Sequence, residues 1–444
     1  MKIKQLRMQS FRGINDLILD FDDRLNVMYG DTGSGKSSIL DCSAVFLAYI
    51  MGKIRTFHSF EGSMPPTFTE RDISNGFNET QTEIEISVDG ITKNLQFSFV
   101  LTRNSLNSTS GYDALESKDS KLVIANTDHY DNRSNLSDGE IFHHFVYDQF
   151  RANSMASLPL AVYYSANRSV RDVTLESLEN HTVNQLTAYD QAIVAGKINF
   201  KDLFVWFRNT EDLENEEWRN GNREYRDRGL ESVRNAITSI MLGFTDLQVK
   251  RSRMEMTLKK QGQELIINQL SDGEKNLLAM VGDLARRLAI ANPEMEEPEQ
   301  GSGVVLIDEI ELHLHPKWQR MVIPALLRTF PNCQFIITTH SPQVLGEVKD
   351  GKIYKLANTE LGVTAEIVRT YGRDSNRILE DEMGVPKRSQ KIKDDLLNLF
   401  RLIDDGNLPK ARELQEYLKG EIGFDEPEFA RADVLIHRKE VLGR

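Results

Sequence analysis

Apolar and polar residues alternate near the N-terminus. Leu17, Leu19 and Phe21 follow a period of two and residues 25–29 form a short apolar run, so residues 2–29 predict strands, the last of them buried. After Lys36 the period becomes helical, with Ile39, Leu40, Ala44 and Leu47 on one face. Residues 52–80 have little periodicity and predict a loop. Ile84, Ile86 and Val88, then Asp89 and Gly90, then Leu95, Phe97, Phe99 and Leu101 predict a hairpin. Residues 104–136, rich in Ser, Asn and Asp, predict a surface loop, and 162–164 a buried strand.

Residues 172–244 read as strongly charged helix without sustained heptads, which argues against a long coiled-coil arm. Strand patterns return at 247–258 and 264–267. A helix follows, with Leu277, Leu278, Val281, Leu284 and Leu288 on one face. Residues 293–303 predict an acidic linker, and 304–307 and 334–338 short buried strands. Beyond about residue 372 the pattern is helical, with one stripe through Ile392, Leu396, Leu399, Phe400 and Ile403 and another through Leu414, Tyr417 and Leu418. The pattern predicts an α/β chain in four parts: an N-terminal lobe over 1–171, a helical insert over 172–245, a second lobe over 246–370 and a helical extension over 371–444.

The chemistry sits at the edges of these elements. Gly30, Gly33, Gly35, Lys36 and Ser37 fit the pattern G-x-x-x-x-G-K-[ST], with a strand before and a helix after. Glycines let backbone N–H groups wrap phosphates, and the helix N-terminus adds its dipole. Lys36 is expected to reach the β- and γ-phosphates of ATP. Ser37 is expected to ligate Mg²⁺, with Ser38 beside it in the cradle. The run 304–307 ends in Asp308 and Glu309: Asp308 would hold Mg²⁺, and Glu309 would act as general base on the attacking water. Ser271 and the N–H of Gly273 open a helix and form a candidate anion site; the plainer reading is an N-cap with Glu274 as its capping-box partner. His340 ends the strand at 334–338, placed to hydrogen-bond the γ-phosphate or the water.

The 444 residues carry 54 Lys and Arg against 67 Asp and Glu, a net charge of −13, so coating nucleic acid is not the default reading. Lys250, Arg251, Arg253, Lys259 and Lys260 form a local basic patch, read foremost as a solvated strand face. Two cysteines, Cys42 and Cys333, each lie in an apolar run and predict buried free thiols in a reducing compartment. The N-terminus lacks the pattern of a signal peptide, and the apolar runs look too short to span a bilayer. These readings together predict a cytoplasmic protein.

The segment from Leu270 to Glu274 resembles the LSGGE-type signature of ABC ATPases, and with the P-loop, the Asp308–Glu309 pair and His340 it gives the motif order of that superfamily. The resemblance implies an ABC-ATPase head: a P-loop core sheet with an antiparallel β subdomain, here with a helical insert and a helical C-terminal extension. It also implies head-to-tail homodimers or higher oligomers, in which Ser271 and Gly273 grip the γ-phosphate of ATP held by the other copy. His340 is similar to the family's switch histidine. His315 lies in a stretch similar to one that forms an interprotomer loop in bacterial ABC-like ATPases. Arg12, before a glycine, resembles the arginine that packs near the nucleotide in the SMC and RecF group. The family's Q-loop glutamine is missing; the best-placed segment runs from Tyr163 to Arg168.

The wide gap between P-loop and signature fits neither transporter subunits nor long-armed SMC proteins. It is similar to the compact group of RecF, OLD nucleases and anti-phage ATPases. The segment from Tyr371 to Pro386 resembles the extension of Septu-type (PtuA) defence ATPases, including retron-linked ones. That resemblance implies a regulatory ATPase partnered with a small HNH nuclease, PtuB, with any nucleic acid contacted through the complex, no membrane, and Ile392, Leu396, Phe400 and Leu414 as docking contacts or supports. A RecF-like repair ATPase that binds DNA as an ATP-dependent dimer remains the alternative.

Overall fold

The computed structural model describes residues 1–55, 66–103, 133–168, 184–194, 198–360 and 362–442. The chain forms two compact units, Met1–Arg373 and Asp374–Arg444.

The first unit is built on a six-stranded sheet of order β13-β12-β3-β11-β10-β6. Its strands are β3 (Leu25–Gly30), β6 (Leu160–Tyr164), β10 (Gly303–Ile307), β11 (Cys333–Thr338), β12 (Lys352–Thr359) and β13 (Gly362–Val368). All neighbours pair in parallel except the edge strand β13. Every residue of β6, β10 and β11 is buried, as expected of parallel strands covered on both faces. The predicted short apolar runs are these strands.

A four-stranded antiparallel sheet of order β2-β1-β4-β5 holds β1 (Lys2–Phe11), β2 (Ile14–Asp20), β4 (Glu79–Ser87) and β5 (Leu95–Thr102). A third, three-stranded sheet of order β7-β8-β9 comprises β7 (Phe244–Lys250), β8 (Glu255–Lys260) and β9 (Gln263–Ile266). The α/β class follows from this arrangement, with a mainly parallel core sheet and a separate antiparallel sheet as expected.

Several local expectations change. Helix α1 (Lys36–Arg55) runs four residues into the predicted loop at 52–80, and β4 begins inside that loop's far end. The rest of the loop includes a short 3₁₀ turn, Glu70–Asp72, and residues 56–65, which lie outside the described residues. By length and composition α1 is apolar enough to cross a membrane, but it packs in the core of this unit with Ile39, Leu40, Phe46 and Ile50 buried. Most of the loop predicted at 104–136 lies outside the described residues. After it comes α2 (Asp138–Ala152), absent from the sequence reading because its mixed polar face dilutes the period. The insert contains α3 (Phe200–Arg219) and α4 (Arg228–Ile240); its residues 172–183 lie outside the described residues. The predicted linker at 293–303 holds a 3₁₀ turn with Pro298 buried, and Gly303 already belongs to β10.

Helix α5 (Asp272–Ala291) is buried along its whole length from Asn276 onward. It is followed by α6 (Pro316–Thr329) and the single turn α7 (Pro342–Leu345).

The second unit begins with the single turn α8 (Ser375–Arg377). A π-helical turn, Ile378–Glu382, follows, and then, among the described residues, three longer helices, α9 (Gln390–Asp404), α10 (Leu408–Ile422) and α11 (Pro427–Leu442), where the sequence had suggested two. The third supplies Phe429, Ala432 and Ile436 to a core shared with Leu396, Leu399, Ile403, Ala411 and Leu418. Ile392, Phe400 and Leu414 pack against the same core. The apolar stripes thus cover one another, and Ile392, Leu396, Phe400 and Leu414, expected as docking contacts or supports, pack in their own bundle, as supports would.

Candidate functional site

Parallel strands β3, β11, β10 and β6 bring their carboxyl ends to one edge, where loops in open α/β sheets bind ligands. The loop after β3 opens at Gly30. Its φ is 153°, and a Cβ there would stand 2.1 Å from the carbonyl oxygen of Leu356 on β12, so only glycine fits. The Lys36 amine is buried and donates to the carbonyls of Gly30 (2.9 Å) and Asp31 (2.8 Å) and to the Ser34 hydroxyl (3.4 Å). Burial pushes its pKa below the usual lysine value, against the pull of Asp308, Glu309 and Asp31. A buried ammonium that rests on neutral loop oxygens has room to trade them for phosphate.

Ser37 donates its hydroxyl to Asp308 Oδ2 at 2.9 Å, joining residues 271 positions apart. Thr338, at the end of β11, donates to Asp308 Oδ1 at 2.5 Å and accepts from the Glu309 N–H at 2.8 Å. Glu309 has a φ of 49°, a left-handed conformation that costs a side-chain-bearing residue about 1–3 kcal/mol. Two residues on, Glu311 accepts from the Thr339 hydroxyl (2.7 Å) and from the His340 N–H (2.6 Å). His340 is exposed at the strand end, with its imidazole hydrogen-bonded to nothing among the described residues. The structure thus gathers Lys36, Ser37, Asp308, Glu309 and His340, with Thr338 and Glu311 as the unanticipated links; the paired threonines before His340 were the available signal.

The hydroxyl of Ser37 and the carboxylate of Asp308 are the hard oxygen donors a divalent cation such as Mg²⁺ takes, and they touch each other. Among the described residues no cluster of three His, Cys, Asp or Glu offers another metal site.

Arg12 has a φ of 44° and pairs with Asp72 (Nε, 2.6 Å) and Asp41 (NH1, 2.5 Å). Asp41 lies one turn beyond Ser37 on α1 and also accepts from the Tyr163 hydroxyl at 2.9 Å. Arg12 therefore ties β1 to the P-loop helix through carboxylates.

Ser271 caps α5. Its hydroxyl accepts from the Glu274 N–H, and Glu274 accepts from the Ser271 N–H at 3.1 Å: the capping box weighed as the plainer reading is present. A Cβ at Gly273 would stand 2.2 Å from the His313 carbonyl oxygen, so the glycine lets this helix start press on the loop that follows Glu309. No hydrogen bond among the described residues joins Ser271 or Gly273 to the P-loop of the same chain. His315 caps α6, its Nδ1 accepting from the Lys317 N–H at 3.3 Å.

Deeper along α5, Asp283 pairs with Arg286 (2.8 Å) and Arg287 (2.7 Å) and accepts from the Tyr164 hydroxyl at 3.0 Å. Burial would raise the Asp283 carboxyl; Arg287 and Arg286 outweigh it and hold its pKa at about 2.

A family model described as "AAA domain, putative AbiEii toxin, Type IV TA system" matches residues 25–346, which spans every motif from the P-loop strand to His340. The chain belongs to this family. It is a nucleotide-binding ATPase, related to ATPases of retrons and of Septu systems. "Retron Ec83 probable ATPase" of Escherichia coli is 27% identical, over 88% of this chain and 78% of that protein. "Retron Vc95 probable ATPase" of Vibrio cholerae is 29% identical, over 82% and 74%. Septu protein PtuA of Bacillus thuringiensis is 23% identical, over 93% and 91%. Among solved structures, the SMC head domain from Thermotoga maritima matches with a TM-score of 0.41 at 14% identity, covering 83% of this chain and 100% of that one.

Proposed function

We propose that this ATPase binds and hydrolyses ATP at sites shared by two head-to-tail copies, and that the cycle controls a separate HNH-type nuclease in a cytoplasmic anti-phage defence system. The observation that carries the reading is the joined constellation of Ser37, Asp308, Thr338 and Glu309 beside a buried Lys36, set against a signature end, Ser271 and Gly273, that no hydrogen bond among the described residues ties to it. The names of the retron and Septu relatives support the defence setting.

In this reading Lys36 neutralises phosphate charge, and Ser37 and Asp308 hold Mg²⁺, which supplies further neutralisation of the phosphates. Gly33, Gly35 and Ser38 complete the cradle. Glu309 accepts the proton of the attacking water, and His340 donates a hydrogen bond to the γ-phosphate or that water. Arg12 steadies the start of α1 beside the nucleotide. Ser271 and Gly273 serve the partner copy's ATP.

Mixing two inactive variants tests the shared site. Lys36→Ala and Ser271→Arg are each expected to be inactive, yet a mixed dimer carries one composite site without a lesion, so ATPase activity should return in part. No recovery despite demonstrated subunit exchange defeats the head-to-tail reading. The nuclease arm is tested by copurification with the product of a neighbouring HNH gene, and loss of phage protection on deleting either gene is the expected result.

The alternative, a DNA-loading clamp, draws little from the basic patch. Lys250 pairs with Glu264, Arg251 with Glu211 and Asp212, Lys259 with Asp246 and Lys260 with Glu274. Cations already matched by carboxylates have little charge left for phosphates.

A further inference from the structure

Strand β6 ends beside β10, with Tyr164 opposite Ile307 and the Asp308 N–H donating to the Tyr164 carbonyl at 2.9 Å. Just past this point the ABC-type Q-loop glutamine was expected, and none is there. Arg168 occupies the place. It is 3% exposed, and its guanidinium donates through Nη1 to the carbonyls of Asp308 and Ser165, and through Nη2 to the carbonyl of Glu309 at 2.6 Å.

We propose that Arg168 is a positioning residue for ATP hydrolysis, holding the main chain of Asp308 and Glu309 in the turn that aims both carboxylates. The proposal rests on the reading of these two as metal-holding and basic groups.

Three observations support it. The Glu309 backbone is left-handed, a conformation that relaxes unless neighbours fix it, and here it is fixed from two sides: Thr338 takes its N–H and Arg168 its carbonyl. Next, among the described residues the hydrogen bonds of Arg168 go to carbonyls although Glu311, Asp308 and Glu309 surround it electrostatically, so it steadies the acid pair without consuming either carboxylate. Last, the planar guanidinium meets the two successive carbonyls with separate nitrogens, Nη1 on Asp308 and Nη2 on Glu309, so its rigid fork fixes their relative orientation, which a single ammonium nitrogen does less well.

The test uses the full-length chain. Arg168→Gln, Arg168→Lys, Glu309→Gln and the double variant Arg168→Gln/Glu309→Gln are compared by ATP turnover, by affinity for a fluorescent ATP analogue and by thermal melting. A misplaced reacting group costs about 10²-fold in rate, so kcat of Arg168→Gln should fall by about that much while affinity stays within about threefold. Arg168→Lys should recover part of the loss. In the Glu309→Gln background the same change should cost less than about threefold more, because a residue acting through Glu309 has nothing left to position.

Full multiplication of the two losses in the double variant overturns the proposal, as does an affinity loss as large as the kcat loss. Wild-type turnover in Arg168→Gln sinks the positioning role alone. Wild-type turnover in Glu309→Gln sinks the acid-pair reading and this proposal with it. Should the glutamine variant fail to fold, the lysine variant carries the same comparison, since it retains the charge and N–H donors on a single nitrogen.

Discussion

Around Asp283 each buried charge meets an opposite charge; around Lys36 none does. Asp283 is held by Arg286, Arg287 and the Tyr164 hydroxyl, and Arg287 also donates to the carbonyls of Ala188 and Asp190. Lys36, also withdrawn from solvent, donates among the described residues to neutral oxygens alone. The first cluster finds its counter-charges within the chain and knits α5 to β6. The second is poised for an anion from outside. Satisfaction by formal charge, more than burial, separates framework from site in this protein.

That contrast can be broken at several points. The largest effect is expected at Lys36→Ala, which removes the cation that phosphate would meet: tight ATP binding should vanish, while the melting temperature moves little. Normal affinity in equilibrium binding would remove the P-loop assignment. Glu309→Gln keeps the shape and loses the base, so turnover should drop by about 10²–10⁴-fold with ATP still bound. Hydrolysis within a few-fold of wild type would show that Glu309 is not the base.

Asp283→Ala should do the reverse of Lys36→Ala. Stranding two buried guanidinium groups costs about 3–5 kcal/mol of stability, with ATP affinity unchanged per folded molecule. Denaturant unfolding and analogue binding on one sample decide it. The same carboxyl has a pH signature. Its folded pKa of about 2 lies below the ordinary 3.8, so its contribution is fully present above pH 3.8 and is lost as pH falls toward 2. Unfolding curves of wild type and Asp283→Asn should therefore converge over that window, and a constant gap down to pH 2 would contradict the assignment.

The smallest effect belongs to the basic strip: Lys259→Ala, removing an exposed pair with Asp246, should leave melting temperature and ATP turnover unchanged within error.

How much of this the sequence disclosed depends on the range of the interactions. The P-loop and the Asp308–Glu309 pair were legible because phosphate chemistry needs particular residue types at fixed local spacing. The buried runs of β6, β10 and β11 were legible because strands covered on both faces are uniformly apolar. Helices α2 and α11 were not, since their faces mix polar and apolar residues and only contact with α1 or with α9 and α10 makes them helical in effect. Arg168 and Thr338 lay in segments the sequence marked but were not given roles, for another reason. They act through main-chain and carboxylate contacts with Asp308 and Glu309, far away in sequence. Arg12 was noticed, and its partners Asp41 and Asp72 were not.

The close approach of Gly273 to the His313 carbonyl has a genetic consequence. Any side chain at 273 must displace the loop that follows Glu309 in the same copy. In the proposed dimer such an allele injures two sites at once: the partner's, through the signature, and its own, through that loop. It should therefore behave as dominant when mixed with wild type, whereas Ser271→Arg, at an exposed cap, should be recessive. Two neighbouring substitutions in one motif would then fall into different inheritance classes, and a screen that scored only loss of protection would not tell them apart.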